Sequence, residues 1–284
     1  MPPSAQQSDA QTGWNDELLA NPHAVADKRK RVREMFAAIA PSYDINNRLH
    51  SLWQDQRWRK KAVKLAELKP TDVVVDVACG TGDLALRFVQ HLWHASAGTD
   101  HRMGLRWGGA TQVMGIDFTF EMLPLARHKG RNTFAPVRSR PPSFLDDAVA
   151  WLNGDAQSLP LPDACADVVS IAFGIRNVQD PAAAMREFYR VLRPGGRVII
   201  LEFSLPTNRL LRGLYNFYFR QILPRTATLI SGDKTGAYKY LPESVNTFID
   251  REQMMAMMRD AGFVDVEQHP MTFGVCVCYR GRVP

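Results

Sequence analysis

Two short stretches carry residue types and spacings that can do chemistry. The first is VVVDVACGTGDLALRF, from Val73 to Phe88. A β-branched run ends in Asp76. The turn Cys79-Gly80-Thr81-Gly82-Asp83 follows, and then apolar residues Leu84, Leu86, Phe88 and Val89 at helical spacing. Strand, glycine turn and helix together begin a nucleotide-cradling Rossmann-like unit. Gly80 and Gly82 lack a Cβ, so they accept positive φ and let a ligand lie against the backbone. The dinucleotide pattern G-x-G-x-x-G is not met, because position 85 is Ala. Carboxylates at Asp76 and Asp83 flank the turn; they would repel a pyrophosphate and suit a cation. S-adenosylmethionine carries a sulfonium and an ammonium, so this turn predicts that cofactor rather than NAD. The second stretch is Phe173-Gly174-Ile175-Arg176-Asn177-Val178, which closes another apolar run. A charged Arg and an Asn at the end of a buried strand are costly unless partnered. Arg176 and Asn177 therefore read either as groups facing the transferring methyl or as a structural ion pair.

The elements that must position these residues follow an alternating rhythm. Strands are predicted at Val73–Val77, Val113–Ile116, Ala148–Leu152, Val168–Phe173 and Arg197–Phe203. A helix over Pro181–Leu192 has Asp180 as N-cap and Pro181 at its first position. Arg193-Pro194-Gly195-Gly196 reads as a turn. A helix at Arg251–Ala261 ends at Gly262, and Val264–Gln268 and Gly274–Tyr279 read as a terminal strand pair. Strands alternating with helices predict an α/β fold with a doubly wound, mostly parallel seven-stranded sheet and an antiparallel terminal strand. Such sheets bind ligands beyond the carboxyl ends of their strands.

That rule selects further candidates. An acid after the second strand accepts bonds from both ribose hydroxyls, usually ~20 residues past the glycines. Asp100 fits the gap but follows no strand. Asp117 directly follows an apolar run, and an insertion accounts for its longer gap; a helix N-cap is its other reading. Asp155, with the backbone of Ala156, suits an adenine amino group or else caps a turn. Thr81 stands where its hydroxyl can meet the methionine moiety. Asp76 either organises the turn or reaches the ammonium through water.

Composition bounds the rest. The 284 residues are 45% hydrophobic and 23% charged, as in ordinary globular proteins. No apolar run approaches the roughly 20 residues that span a bilayer. The first 24 residues lack an apolar core and predict no secretory leader. Cys79, Cys165, Cys276 and Cys278 form no CxxC pair, so neither zinc nor a disulfide frame is indicated. A cytoplasmic protein is expected. The formal net charge is +6, with the densest basic run at Lys28–Arg31 and Arg33. That run reads as a solvated helix face or as attraction to an anionic membrane. No aromatic-interleaved basic motif points to nucleic acid. Residues 1–26 are expected to be disordered, and 27–284 to form one domain. A helical cap is expected over 27–70, with one helix from Lys28 that Pro41 ends and a second helical stretch that carries Leu49, Leu52, Trp53, Trp58 and Val63 and that Pro70 closes. Two aperiodic stretches, 93–112 and 131–147, read as surface insertions.

Three stretches, in order, carry a resemblance. FAAIAPSYDINNRLHSLWQDQRWRKKAV, AFGIRNVQDPAAAMREFYRVLRPGGRVIILEFSLP and YKYLPESVNTFIDREQMMAMMRDAGFVDVEQHPMTFGVCVCYRG are similar to motifs of the menaquinone/ubiquinone biosynthesis C-methyltransferases. The likeness runs from about Val32 to Gly281, the insertions excepted. It implies class I S-adenosylmethionine-dependent methylation of a ring carbon on a polyprenylated quinol. It places cofactor contacts on Thr81, Asp117, Asp155 and Ala156, and puts Arg176 and Asn177 near the quinol. Tyr43 and Asp44 are implied in the segment covering the site, and Phe173 at the substrate. Ala172 departs from the pattern, since many members carry Ser there. GIDFTFEML, DVACGTGDL and QDQRWR lean toward the menaquinone branch.

The implied reaction needs a deprotonated quinol hydroxyl, with a water held by Arg176 and Asn177 as base. The apolar, aromatic run from Leu210 to Leu223 is either core or a lid over the quinol that touches the membrane. Self-association through it is a further option. An NAD-dependent oxidoreductase and a binding protein without catalysis are the rival readings. The missing third glycine argues against the first, and intact Arg176 and Asn177 against the second.

Overall fold

The computed structural model describes residues 13–95, 106, 107, 110–134, 148–233 and 235–284. Most of both expected insertions, Asp100, and residues 1–12 lie outside the described residues.

Four helices come first: α1 (Asp16–Ala20), α2 (Lys28–Ile39), α3 (Tyr43–His50) and α4 (Gln54–Leu65). The α/β unit follows with β1 (Val74–Val77), α5 (Asp83–Ala95), a small pairing of β2 (Arg106–Trp107) with β3 (Ala110–Thr111), β4 (Val113–Asp117), α6 (Met122–Phe134), β5 (Ala150–Asn153), β6 (Ala166–Ala172), α7 (Pro181–Val191) and β7 (Leu192–Phe203). Three more helices, α8 (Arg209–Phe217), α9 (Leu223–Ser231) and α10 (Ala237–Asn246), precede α11 (Arg251–Asp260), β8 (Val264–Met271) and β9 (Cys276–Arg282).

The main sheet runs β5-β4-β1-β6-β7-β9-β8. The first five of these are parallel, and β9 is antiparallel to both β7 and β8. All four residues of β1 are buried, which is why its sequence is a continuous apolar run instead of an alternating one. Both faces of the sheet are covered. Phe188, Met185 and Met258 belong to one core, and Phe88, Leu92 and Trp58 to the other. Asp117 pairs with Asn153, whose Nδ2 donates to the Asp117 carbonyl at 2.8 Å. The two strands end together, so the acids that follow them share one edge.

Local signals account for most boundaries. Asp180 caps α7 through a bond from the Ala183 amide at 3.0 Å. The expected Arg193–Gly196 turn is a bulge inside β7, which begins at Leu192: Leu192 faces Ala166, and Arg197 already faces Val168. Two expectations fail. The helical stretch expected from Leu49 to Val63 is broken where Leu52 and Trp53 both take positive φ, at 50° and 59°. The disorder expected to residue 26 does not extend to residues 13–26. Trp14 stacks on Tyr240 at 4.4 Å, and Leu19 is buried in the same cluster. Two apolar anchors are enough to hold a segment whose composition is otherwise polar.

The cap is larger than its sequence span. It is built from α1–α3 together with α8–α10, around a third core. Val32, Met35 and Ile39 of α2 face inward, as their spacing predicts. Tyr215, Phe219, Leu223 and Ala227 recur every four residues and form the buried stripe of the α8–α9 arm.

Candidate active site

Two clefts adjoin beyond the carboxyl ends of the strands. The first is lined by Val77, Ala78 and Gly80 from the turn after β1, by Asp117 and Phe118 after β4, and by Asp155 and Ala156 after β5. Helix α2 roofs it with Arg29, Val32 and Phe36. The space it encloses, open solvent included, is about 760 Å³.

Asp117 organises this cleft. Its Oδ2 accepts the Gly80 amide at 2.7 Å, and its Oδ1 accepts the Thr119 amide at 2.7 Å. Each oxygen keeps a second lone pair for a diol. Burial pushes its carboxyl up to about 6, against these backbone bonds. Asp155 lies at the far end. Its Oδ1 accepts the Gln157 amide, and its Oδ2 pairs with Arg29 at 3.0 Å. Arg29 also sits 4.5 Å above the Phe118 ring.

Several expected contacts lie elsewhere. Gly82 (φ 84°) does not line the cleft; a Cβ there would stand 2.5 Å from Cη2 of Trp151. Its role is close packing of the α5 start against β5. Thr81 faces away, where its hydroxyl donates to Asp44 at 2.6 Å and accepts from Lys129 at 2.8 Å. Asp44 is thereby also drawn out of both clefts. Asp83 joins this network. Burial opposes its charge, yet Arg59, Lys129 and Arg48 hold its carboxyl down to about 2. The acids that line this cleft are thus Asp117 and Asp155, and Asp83 does not. Asp76 lies beneath the turn, where one oxygen accepts the Ser170 hydroxyl at 2.6 Å and burial pushes its carboxyl up to about 7. Its other oxygen has no hydrogen-bond partner among the described residues.

The second cleft shares Phe36, Tyr43 and Phe173 with the first. Its empty volume is about 630 Å³, and Phe203, Tyr238 and Tyr240 add to its aromatic wall. Phe173 stands at the partition. It is held at φ 58°, a left-handed backbone unusual for an aromatic residue and typical of strained functional positions. Its ring packs on Phe203 at 4.6 Å. Its carbonyl accepts both Arg176 Nη1 at 2.8 Å and Asn177 Nδ2 at 3.2 Å.

Arg176 lines the second cleft, but its charge is paired. Nη1 also meets Glu202 Oε1 at 2.7 Å, and both side chains are buried. The structural ion pair is realised, and only Nη2 lacks a hydrogen-bond partner among the described residues. Asn177 lines the first cleft and accepts the Tyr240 hydroxyl at 2.9 Å. Asp55 and Arg59 are site residues that sequence reasoning missed. They form a buried pair at 2.8 Å on α4, and Asp55 is the one carboxylate among the described lining residues of this cleft. Their i,i+4 spacing is common on solvated helices, and nothing local marks this pair as buried.

The Lys28–Arg31 run is solvated only in part: Arg29 and Lys30 are exposed, and the other two are engaged. Lys28 is buried, with Nζ donating to the Val178 carbonyl at 2.6 Å, and burial pushes its amine down to about 8. Arg31 pairs with Asp27. The run latches α2 over the first cleft.

Known proteins resemble the chain at two levels. The ubiE/COQ5 methyltransferase family matches residues 24–282. The ubiquinone/menaquinone biosynthesis C-methyltransferase UbiE of Geobacter sulfurreducens is 39% identical over 260 residues, 92% of this chain and 91% of that protein. The demethylmenaquinone methyltransferase of Thermus thermophilus is 42% identical over 250 residues, 88% of this chain and all of that one. Among solved structures, a SAM-dependent methyltransferase of Thermotoga maritima aligns with TM-score 0.55 at 20% identity, covering 89% of this chain and 100% of that one. The cyclase SpnF aligns with TM-score 0.51 at 19% identity, covering 80% and 81%. At that identity the structures share the fold alone, and a cyclase among them shows how little the fold says about the reaction.

Proposed function

The chain belongs to the ubiE/COQ5 methyltransferase family, and from that premise we propose that it methylates a ring carbon of a demethylmenaquinol to give menaquinol. It is an S-adenosylmethionine-dependent C-methyltransferase of quinone biosynthesis. The carrying observation is the pair of clefts meeting at Phe36, Tyr43 and Phe173, one acidic and one aromatic.

The first cleft fits the cofactor by the chemistry of its donors. Asp117 retains lone pairs for two ribose hydroxyls. Asp155 and the Ala156 amide suit an adenine edge, and Gly80 leaves room against the backbone. Two carboxylates with a single, paired arginine favour a cation over a pyrophosphate. Bound there, S-adenosylmethionine supplies an electrophilic methyl group on a sulfonium.

The chain's own residues do the rest. The aromatic walls of the second cleft would stack the quinol ring and exclude water. Phe173, pinned by Arg176 and Asn177, would set the distance between the two reactants, and alignment of this kind supplies much of the rate. Arg176 is a positioning residue in this reading, because its Nη1 is already committed. Asp55, opposite Arg59, takes the place of the expected water-borne base. It would accept the hydroxyl proton, and the cation of Arg59 would stabilise the resulting phenolate.

The naphthoquinol is favoured over the benzoquinol precursor of ubiquinone by the Thermus relative, named demethylmenaquinone methyltransferase. No helix of the described residues is long and apolar enough to cross a membrane. A polyprenylated substrate would be met at a membrane surface by a peripheral, cytoplasmic enzyme. The test is competition between the two reduced demethylquinols for limiting enzyme. The reading predicts a higher kcat/KM for the naphthoquinol; preference for the benzoquinol would reverse the assignment.

A further inference from the structure

The α8–α9 arm is apolar on two sides, and only one of them is buried. Tyr215, Phe219, Leu223 and Ala227 face the third core. Leu210, Leu214 and Phe217 recur at four and three residues on another face and are 73%, 60% and 62% exposed. Leu229, further along, is 85% exposed. A helix with apolar residues on both sides normally has both covered.

A second exposed apolar feature lies beside it. Leu52 and Trp53 form the turn between α3 and α4 and are 75% and 59% exposed. Both are held in the left-handed region, where bulky residues are strained. The turn is tied to the arm: His50 Nε2 meets Thr226 Oγ1 at 2.8 Å, and the Tyr218 hydroxyl donates to the His50 carbonyl at 3.2 Å. It is also tied to the second cleft, since Ser51 and Asp55 on either side of it are lining residues.

Charge identifies what covers these surfaces. From Phe203 to Gly232 the chain has Arg209, Arg212, Arg220 and Arg225 and no Asp or Glu. Arg220 pairs with Glu243; the other three have no carboxylate partner among the described residues. In a two-fold dimer the same patch would meet itself, bringing unpaired arginines together with no acid in the segment to answer them. An anionic bilayer supplies both an apolar layer for the leucines, Phe217 and Trp53 and phosphates for the arginines.

We propose that α8, α9 and the Leu52–Trp53 turn form one rim that docks the protein on an anionic membrane surface beside the second cleft. The observations do not depend on the quinol reading, although that reading gives the rim its purpose.

The test is flotation of the full chain with vesicles, without quinol or cofactor. One set holds phosphatidylglycerol in phosphatidylcholine, the other phosphatidylcholine alone. The protein should float with the anionic set at about 0.1 M salt and detach as salt rises. Leu210→Ser/Leu214→Ser/Phe217→Ser and, separately, Leu52→Gly/Trp53→Asn should each weaken vesicle binding at least tenfold. Glycine and asparagine suit the left-handed turn, so the second variant should keep its thermal midpoint. Arg209→Ser/Arg212→Ser/Arg225→Ser should lose binding with the apolar face intact. All three should turn over a short-chain, soluble quinol like the wild type, which separates failure of docking from failure of the catalytic reading. The proposal is overturned if the wild type does not float with anionic vesicles or if the variants float as it does. It is equally overturned if the apolar variants turn a dimer into a monomer and leave vesicle binding unchanged.

Discussion

The amide of Gly80 donates to the Asp117 carboxylate at 2.7 Å across 37 residues of sequence. The glycine turn after β1 and the acid after β4 are therefore one unit. The pairing of β1 with β4 stays in register across that separation, Val77 beside Ile116.

Asp117→Ala should weaken cofactor binding by roughly 2–4 kcal/mol, the worth of one or two hydrogen bonds to a charged acceptor. Calorimetric titration with S-adenosylmethionine reads this directly. The acceptor is the ionised form, and burial pushes its carboxyl up to about 6. Wild-type affinity should then fall as pH drops through that value, and the variant should show no such step.

The two glycines of the turn should behave differently. A Cβ at Gly80 would meet only Tyr43 at 3.9 Å, so Gly80→Ala should cost about 1 kcal/mol, for its φ of 56° alone. Gly82→Ala adds a clash with Trp151 and should cost about 3 kcal/mol or more. Denaturant midpoints compare them, and Trp151→Leu should recover part of the Gly82→Ala loss. Equal costs would contradict the packing role of Gly82.

Arg176→Met should destabilise by about 3–5 kcal/mol, because it leaves Glu202 buried and unpaired. Adding Glu202→Gln should restore much of the thermal midpoint. Turnover should stay low in the double variant if Arg176 positions Phe173, and return with stability if the pair is structural only.

Asp55→Asn should lower kcat by ~10²–10⁴ with little change in cofactor affinity. A variant that keeps most of its turnover would remove Asp55 as the base.

Asp76 should shape stability against pH. Burial holds its carboxyl at about 7, above the unfolded value of about 3.9. The folded state therefore binds the proton more tightly. Its contribution is fully present below the unfolded value and is lost as pH rises through the folded one. Asp76→Asn should flatten that fall and give the higher thermal midpoint on the alkaline side, as thermal melts across the range would show.

What the sequence made legible was whatever local pattern controls. The buried strands showed as apolar runs, and Asp117 stood out as an acid ending one of them. Asp180 and Pro181 marked the start of α7. What stayed hidden depends on tertiary packing. A glycine that lets Trp151 approach looks the same in sequence as one that lets a ligand approach, so spacing does not separate the packing of Gly82 from the open space at Gly80. Arg29 sits over the first cleft only because α2 lies across the sheet edge. Asp55 and Arg59 look like a solvated helix pair until α4 is placed against Phe173. The apolar run from Leu210 to Leu223 offered core or lid. It is core on the Tyr215 side and solvent-facing on the Leu210 side, because one helix carries both stripes.

The most direct test is a single turnover of the protein loaded with S-adenosylmethionine bearing an isotopically labelled methyl group, mixed with reduced demethylmenaquinol. The expected product carries one labelled methyl on the ring carbon beside a hydroxyl-bearing carbon, identified by NMR. Label on the hydroxyl oxygen, or none transferred from fully loaded protein, would contradict the account.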